Sequence, residues 1–457
     1  VTYRLRMLLS KRILASSLSH LEAVTIPKLM ASLTGDIAAI SGTIIIIPQL
    51  CTNIAIVIGC LIYLGILSWQ VLLIFLVALF LGIFSIQFLQ IKAFAAFKVV
   101  RQVEDRLFEN YKMLTEGIKE LKLNRDRRQA FLKEDLNLTA ISLRDKQINA
   151  ENFFAITSSW GNLTIFIVVG GFLFVLPNVQ NISITVLSTY VLTFIYVANY
   201  LGGIIRFLPL IGRAKIALDK IDRLGLQLAE NAEQDSDRTK VLNRNWQRLE
   251  LKNVTHSYRS DIEENGFILG EIDLTFKAGE LIFIIGGNGS GKSTLGKLIT
   301  GLYVPESGKV YLDNREINNE NREAYRNLFS VVFGDFYLCD RLLGFKDIDK
   351  EAEKYLQKLQ LEKKLKIENG KLSTIDLSQG KRKRLALLTA YLEDRPIYLF
   401  DEWASDQDPT FKKVFYKELL PELKANGKTV FVISHDDRYF EVADRIIKLD
   451  YGKVIQA

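Results

Sequence analysis

The chain has 457 residues, of which 49% are hydrophobic and 24% are charged, and 59 Lys and Arg against 52 Asp and Glu give a formal net charge of +7. The charges are unevenly distributed, because residues 37–91 and 152–205 contain no Asp, Glu, Lys, Arg or His. A transmembrane helix needs about 20 mostly apolar residues, so each uncharged stretch accommodates two spans and a turn. This pattern excludes a purely soluble protein, and the small positive excess lies beside the spans and does not indicate a nucleic-acid partner.

Four transmembrane helices are predicted, at about residues 41–64, 71–88, 153–176 and 182–205. The turns within each pair of spans lack Lys and Arg and are expected on the outer side of the membrane. Residues 92–144 are rich in charges and in apolar residues at helical spacing, which predicts long cytoplasmic extensions that turn near Gly117. Together with the amphipathic residues 1–36, these segments form a predicted membrane domain at 1–225.

A polar stretch at 226–246 is typical of a linker, and a second domain is predicted at 247–457. This domain contains short apolar runs at 281–285, 396–400 and 429–433, separated by helical patterns. Such runs are typical of strands in a parallel sheet that is covered on both faces. The sequence therefore predicts an α-helical membrane domain fused to an α/β domain.

A phosphate-binding loop follows the first of these apolar runs and fits the pattern G-x-x-x-x-G-K-[ST]. Its residues are Gly286, Gly287, Asn288, Gly289, Ser290, Gly291, Lys292 and Ser293, with Thr294 next in the predicted helix. In this arrangement the backbone wraps the phosphates and the helix N-terminus donates N–H groups. Lys292 is expected to reach the β- and γ-phosphates, and Ser293 to bind Mg²⁺.

Three polar residues follow the other two apolar runs. Asp401 and Glu402 come after 396–400, and His435 comes just after 429–433. Adjacent acids are usually solvated and a lone histidine is usually structural, but strand ends beside a phosphate loop are where α/β sheets bind ligands. We therefore interpret Asp401 as a Mg²⁺ residue, Glu402 as the group that polarises the attacking water, and His435 as a contact to the γ-phosphate.

The segment DLSQGKRKR at 376–384 places four cations in the first turn of a helix predicted at 381–393. Cations at a helix N-terminus oppose the helix dipole. Either this segment forms a solvated basic face, or an anion bound by Ser378, Gly380 and the helix N-terminus compensates the charge.

In their order along the chain, these motifs resemble those of the ATP-binding cassette (ABC) family: the phosphate loop, LSQGK at 377–381, Asp401-Glu402, SDQD at 405–408 and His435. The resemblance implies that the nucleotide is ATP and that Glu402, His435 and Lys292 are catalytic. It also implies that the LSQGK segment of one protomer closes over ATP held by the other, so the active unit is a homodimer. Tyr258 becomes the candidate adenine-stacking residue, although an ordinary strand tyrosine is the other interpretation.

A narrower resemblance covers nearly the whole chain. Residues 376–409 and 415–440 are similar to bacterial exporters of cyclic peptides and siderophores, relatives of the pyoverdine, syringomycin and microcin exporters. Those proteins are half-transporters with six spans and one ATPase domain, so the sequence, with four, is expected to be an N-terminal truncation. Two positions depart from the family pattern: Lys381 ends the signature in place of Gln, and Gly334 stands where a Gln near the γ-phosphate is usual.

The sequence thus predicts an α-helical transmembrane domain of the ABC exporter type, with four of six spans, fused to an α/β P-loop NTPase domain. The expected function is ATP-driven export of a cyclic peptide, a siderophore or a related peptide across the bacterial inner membrane, with the ATPase domain in the cytoplasm. A lipid or lipopeptide flippase is one alternative, because uncharged spans accept neutral or large polar cargo. A truncated, transport-dead ATP-binding fragment with a regulatory role is another.

Overall fold

The computed structural model describes residues 1–24, 26–179, 184–230, 242–257, 267–345 and 348–456. By internal contacts the chain divides into two units, one formed by Gly35–Asp219 and the other by Val1–Thr34 together with Lys220–Ala457. Residues 226–230 of the predicted linker continue a long helix, and residues 231–241 lie outside the described part of the chain. The boundaries 1–225, 226–246 and 247–457 stay predictions.

The helices of the N-terminal half are long and separated by short turns. They are α1 (Thr2–Ala15), α2 (Leu18–Val24), α3 (Ile26–Ala31), α4 (Ile37–Leu67), α5 (Trp69–Glu116), α6 (Ile118–Leu123), α7 (Arg125–Ala130), α8 (Asn137–Gly170), α9 (Leu176–Val179) and α10 (Ile184–Glu230). Short π-helical segments at Ser32–Asp36, Phe131–Leu136 and Gly171–Val175 connect some of them. The turn predicted near Gly117 is confirmed, because α5 ends there.

Four stretches of this half are long and apolar enough to cross a membrane: Lys28–Leu67, Trp69–Glu116, Arg125–Val175 and Ile184–Gly225. Each stretch contains one predicted span almost completely. The third span, 153–176, extends one residue beyond its stretch, and residues 182–183 of the fourth span lie outside the described part of the chain. The two middle stretches extend well beyond their uncharged segments. The predicted four-helix membrane part is therefore confirmed.

An aromatic cluster forms the buried centre of the membrane unit. Phe75, Phe172, Tyr190 and Phe194 pack together, and the rings of Phe75 and Phe194 meet edge to face with centroids 5.4 Å apart. The Tyr190 hydroxyl lies 2.6 Å from each of the carbonyl oxygens of Leu64 and Ser68. These two carbonyl groups lie at the turn between α4 and α5, and each also accepts a backbone N–H, from Ser68 and from Leu72. The hydroxyl therefore adds a side-chain hydrogen bond from α10 to this turn.

The C-terminal half alternates strands and helices. The strands are β1 (Arg248–Ser257), β2 (Ile268–Lys277), β3 (Leu281–Gly286), β4 (Ser307–Leu312), β5 (Arg315–Glu316), β6 (Phe329–Val332), β7 (Ile367–Glu368), β8 (Lys371–Leu372), β9 (Ile397–Asp401), β10 (Thr429–Ile433), β11 (Arg445–Asp450) and β12 (Lys453–Gln456). The helices are α11 (Lys292–Ile299), α12 (Arg322–Arg326), α13 (Asp349–Lys358), α14 (Gln379–Glu393), α15 (Pro409–Val414) and α16 (Leu420–Ala425). A π-helical segment, Phe415–Leu419, and two 3-10 segments, Trp403–Asp406 and Asp437–Val442, complete it.

The predicted parallel sheet is present and has the order β12-β11-β3-β10-β9-β6. All neighbouring strands are parallel except β12, which pairs antiparallel with β11 at the edge. Ile433 at the end of β10 pairs with Ile284 of β3 on one side and with Asp401 of β9 on the other. The carboxyl ends of the three strands therefore lie at one edge of the sheet.

A second, antiparallel sheet has the order β2-β1-β4-β5, and the sequence analysis did not predict it. Its inner residues, including Leu251 and Phe276, share a core with Ile284 and Phe431 of the parallel sheet. Buried and exposed residues largely alternate along the second half of β2, the period-2 pattern of a half-buried strand. This alternation is the signal that would have identified the sheet.

The Tyr190 hydroxyl gives a test of the membrane unit. We expect Tyr190→Phe to destabilise the chain by about 1 kcal/mol, because the hydrogen bond from the buried hydroxyl to the turn between α4 and α5 is lost. Thermal unfolding of the purified chain in detergent should show a lower Tm. The matched control is Tyr63→Phe, which removes a hydroxyl from an exposed tyrosine of the same unit and should leave the Tm unchanged. Equal Tm values for the two variants would contradict the structure of this cluster.

Candidate functional site

The phosphate loop connects β3 to α11 and is tightly folded. Gly286 has φ +151°, and a Cβ atom there would lie 2.2 Å from the carbonyl oxygen of Leu449. Only glycine fits a backbone this close to a neighbouring strand. Gly287, Asn288 and Gly289 follow on the exposed side of the loop.

Lys292 begins α11 and folds back over the loop. Its Nζ donates to the carbonyl oxygens of Gly286 (3.1 Å) and Gly287 (2.8 Å), and the residue is 5% exposed. Burial lowers the pKa of Lys292, and the nearby carboxylates of Glu402 and Asp401 partly oppose that shift. The ammonium group is thus held in the loop and faces two negative charges.

The end of β9 carries Asp401, which is 5% exposed. The Ser293 hydroxyl donates to this carboxylate, whereas Oδ1 has no hydrogen-bond partner among the described residues. Burial raises the pKa of Asp401, as do the charges of Glu402 and Asp335, while the Ser293 hydrogen bond acts in the opposite direction. A hydroxyl beside a buried carboxylate with an unpaired oxygen fits Mg²⁺, which prefers such oxygen ligands.

Protein ligands alone do not complete a metal site here. Within the described ranges, no three His, Cys, Asp or Glu side chains are arranged to hold a metal ion. Mg²⁺ commonly binds one or two protein oxygens together with phosphate oxygens and water. The pair Ser293 and Asp401 matches that kind of site.

Glu402 and His435 come together from two neighbouring strands. His435 Nε2 lies 2.9 Å from Glu402 Oε1, and each side chain is 41% exposed. The backbone N–H of Glu402 donates to the carbonyl oxygen of Ile433, and Glu402 adopts a left-handed conformation with φ 49° and ψ 32°. A cavity of ≈ 390 Å³ opens beside the pair and is also lined by Ser405, Lys412 and Arg438. There is room here for a reacting group and water.

The four cations of the DLSQGKRKR segment do not share one environment, and the anion contact predicted for Ser378 and Gly380 stays a prediction. Helix α14 begins at Gln379, with Ser378 as its N-cap residue and Gly380 in its first turn. Lys383 and Arg384 are buried and bind residues of the SDQD segment, so they belong neither to a solvated face nor to an anion site. Sequence reasoning missed this pairing, although the acids in 405–408 were the available signal.

Three further predicted positions are placed as follows. Thr294 is buried in α11. A Cβ atom on Gly334 would lie 3.7 Å from the backbone oxygen of Asp401, so Gly334 borders the site, and the charge of the adjacent Asp335 acts on Asp401. Tyr258 lies outside the described residues.

Comparisons with known proteins place this site in a family. The ABC transporter family model matches residues 269–405. The chain is also 38% identical to the ATP-binding protein SyrD of Pseudomonas syringae pv. syringae, in an alignment that covers 99% of this chain and 82% of SyrD. The chain belongs to the ABC transporter family. The predicted ATPase domain is thereby confirmed, and membership of this family implies that the chain binds ATP.

Two further comparisons concern the whole architecture. The solved structure of a bacterial Atm1-family ABC exporter with ATP bound superimposes with a TM-score of 0.71 at 16% identity, covering 100% of this chain and 81% of that one. The lactococcin-A transport/processing ATP-binding protein of Lactococcus lactis is 28% identical over 61% of this chain and 39% of its own length. This ABC transporter therefore has the fold of an exporter half-transporter, as predicted.

Lys292 gives a prediction for stability as well as for binding. Because its pKa is lower in the folded than in the unfolded chain, its charged form at neutral pH opposes folding. We expect Lys292→Met to leave the Tm of the nucleotide-free chain unchanged or higher, while ATP affinity falls about 10- to 100-fold through loss of a charged donor. Thermal unfolding and equilibrium binding of a fluorescent ATP analogue measure the two effects.

The control for this variant lies on the same helix. Lys297 pairs with Glu22 at 2.9 Å, so Lys297→Met should lower the Tm and leave ATP affinity near that of the unmodified chain. A larger loss of Tm in Lys292→Met than in Lys297→Met would be inconsistent with the electrostatics described here.

Proposed function

We propose that the chain is one half of a homodimeric exporter that hydrolyses ATP to move a cyclic peptide, a siderophore or a related peptide across a bacterial inner membrane. The ATPase domain then lies in the cytoplasm. The observation that carries the ATPase part is the convergence of the phosphate loop, Asp401 and the Glu402–His435 pair at one sheet edge. Similarity to SyrD along nearly the whole chain supports the transporter part.

Each group at this edge has a proposed task. The backbone N–H groups of the loop and the N-terminus of α11 bind the phosphates of ATP, and Lys292 stabilises charge on the transferred phosphoryl group. Ser293 and Asp401 would hold Mg²⁺, which neutralises charge on the phosphate oxygens. Glu402 orients the attacking water and accepts its proton.

His435 is proposed to position Glu402. His435 Nε2 lies 2.9 Å from Glu402 Oε1. In this proposal a protonated Nε2 donates to the carboxylate and fixes its direction, and the imidazole ring also contacts the γ-phosphate. On the other side of the dimer, Ser378 and Gly380 would contact ATP held by the partner's phosphate loop. Tyr258 remains the proposed adenine contact.

The link between ATP and the spans is proposed to pass through α2. Glu22 of α2 accepts hydrogen bonds from Lys297 of α11 and from the hydroxyl of Tyr303. Because α11 also begins with Lys292, which is proposed to bind phosphate, a shift of this helix on ATP binding would displace residues 21–26 through these contacts. The loop around Gly117 is also proposed to transmit the closure of the ATPase domains to the spans.

Residues of the spans bear on the cargo. Asn53 is buried and accepts a hydrogen bond from Gln49. It lies so close to Gly203 that a Cβ atom on Gly203 would be 2.6 Å from the side-chain nitrogen of Asn53. Asn53 therefore packs helices together. Asn162 and Asn199 are exposed and stay available to a polar cargo. A neutral or large polar compound, such as a cyclic peptide, suits spans that carry no charge.

The proposed base is tested by Glu402→Gln, which keeps the shape of the side chain and removes its ability to accept a proton. We expect ATP hydrolysis by the purified chain to fall at least about 100-fold, the lower end of the effect of a positioned general base. ATP binding should persist, as measured with a fluorescent ATP analogue. Hydrolysis at the unmodified rate would rule out Glu402 as the base.

The cargo is tested by stimulation of hydrolysis in lipid nanodiscs. We expect cyclic peptides or siderophores to raise the hydrolysis rate of the unmodified chain, because cargo in the membrane domain favours closure on ATP. The same compounds should have no effect on Glu402→Gln, which controls for contaminating ATPases. Stimulation by lipids alone would favour the flippase, and no stimulation by any compound would favour the transport-dead fragment.

A further inference from the structure

Lys383 is a buried lysine whose three N–H donors all bind the segment that carries Glu402. The residue is 3% exposed and lies in α14. Its Nζ lies 2.8 Å from the carbonyl oxygen of Glu402, 2.7 Å from Ser405 Oγ and 2.8 Å from Asp406 Oδ2. A lysine ammonium has three donors and needs three acceptors when it is removed from water, so this group is fully satisfied.

The acceptor that matters most is the backbone of Glu402. A non-glycine residue in the left-handed region costs about 1–3 kcal/mol and persists only where its surroundings fix it. The Glu402 carbonyl oxygen accepts from Lys383 Nζ, and also from the hydroxyl (2.8 Å) and the backbone N–H (3.2 Å) of Ser405. Both Ser405 donors belong to the same segment as Glu402, so Lys383 is the donor that ties the peptide group on the C-terminal side of Glu402 to α14.

Further contacts fix Lys383 itself in place. The indole N–H of Trp403, the residue after Glu402, donates to the carbonyl oxygen of Lys383 at 2.8 Å. Trp403 is 1% exposed and stacks on Phe415 with ring centroids 4.3 Å apart. The next residue of α14, Arg384, binds Gln407 and Asp408. The helix and the segment 402–408 are thus joined by a set of buried polar contacts with Lys383 at its centre.

A stabilising ion pair is the simpler interpretation, and the geometry argues against it. The Asp406 carboxylate is 45% exposed, and a buried charge paired with a half-exposed partner contributes little to stability. A hydrophobic side chain at position 383 would pack against Trp403 at lower cost. What such a side chain would lack is the donor to the Glu402 carbonyl oxygen.

We propose that Lys383 is a positioning residue for ATP hydrolysis, which holds Glu402 in its left-handed conformation and joins it to the helix that begins with Ser378 and Gly380. This inference rests on the proposed role of Glu402. Because the start of α14 is proposed to face the partner's ATP, Lys383 makes the catalytic carboxylate of one ATP site depend on the position of the segment that closes the other.

The test compares Lys383→Met, which keeps the length of the side chain and removes its donors, with Lys383→Gln, which keeps an amide donor. In the purified full chain, we expect Lys383→Met to lower kcat by about 10- to 100-fold, the effect of a small misplacement of a catalytic group. The KM for ATP and the affinity for a fluorescent ATP analogue should stay within about twofold of the unmodified chain. Lys383→Gln should recover most of the lost kcat.

The matched control is Lys428→Met. Lys428 binds Asp394 at 2.7 Å, next to the opposite end of β10, away from the site. This variant removes another largely buried lysine that pairs with an exposed acid, and it should leave kcat unchanged. Three outcomes would overturn the proposal. One is an unchanged kcat in Lys383→Met, and another is a KM for ATP that rises in proportion to the loss of kcat. The third is a Lys383→Gln variant that is as slow as Lys383→Met.

Two further variants keep the outcome decisive. If Lys383→Met does not yield folded protein, Asp406→Ala removes the half-exposed partner instead; a lower kcat at constant KM supports the proposal and an unchanged kcat overturns it. Glu402→Gln separates the two levels of inference. If Glu402→Gln is inactive while Lys383→Met is fully active, only the role of Lys383 fails. If Glu402→Gln is active, the proposed base fails and the positioning role fails with it.

Discussion

The parallel pairing of β3, β10 and β9 is the constraint on which the site depends. Because Ile433 pairs with Ile284 on one side and Asp401 on the other, three strand ends are fixed at one level of the sheet. The chain leaves these ends as the phosphate loop, as His435 and as Glu402. A shift of one residue in either register would turn Asp401 to the other face of the sheet and separate the groups.

A second constraint acts after the strands end. The segment 402–408 has little regular structure, yet it must hold a carboxylate in an unfavourable backbone conformation. The carbonyl oxygen of Glu402 accepts from Lys383 of α14, and the indole N–H of Trp403 donates to the carbonyl oxygen of Lys383. Lysine usually remains at a protein surface, but Lys383 is buried because each of its donors meets an oxygen of this segment. Glu402, the proposed base, is thereby held in place beside an open cavity.

The first 34 residues belong to the same unit as the ATPase domain. By internal contacts they group with residues 220–457. Glu22 meets Lys297 and Tyr303, and Leu18 packs against the core shared by the two sheets. In the proposed function, this polar contact on the helix of the phosphate loop would link ATP binding to the N-terminal helices.

Local sequence patterns were enough to predict the membrane spans, the phosphate loop and the strand-end residues Asp401, Glu402 and His435. Each of these depends on a contiguous stretch: an uncharged run long enough to cross a bilayer, or a motif that follows directly after a buried strand. The contacts of Lys383 with Glu402, and of Glu22 with Lys297, were decided only by the tertiary structure. Their partners are far apart in sequence, and a lysine in a basic run has the same local pattern whether it faces water or a buried carbonyl oxygen. The folded backbone alone determines which oxygen atoms come within reach of such a charge.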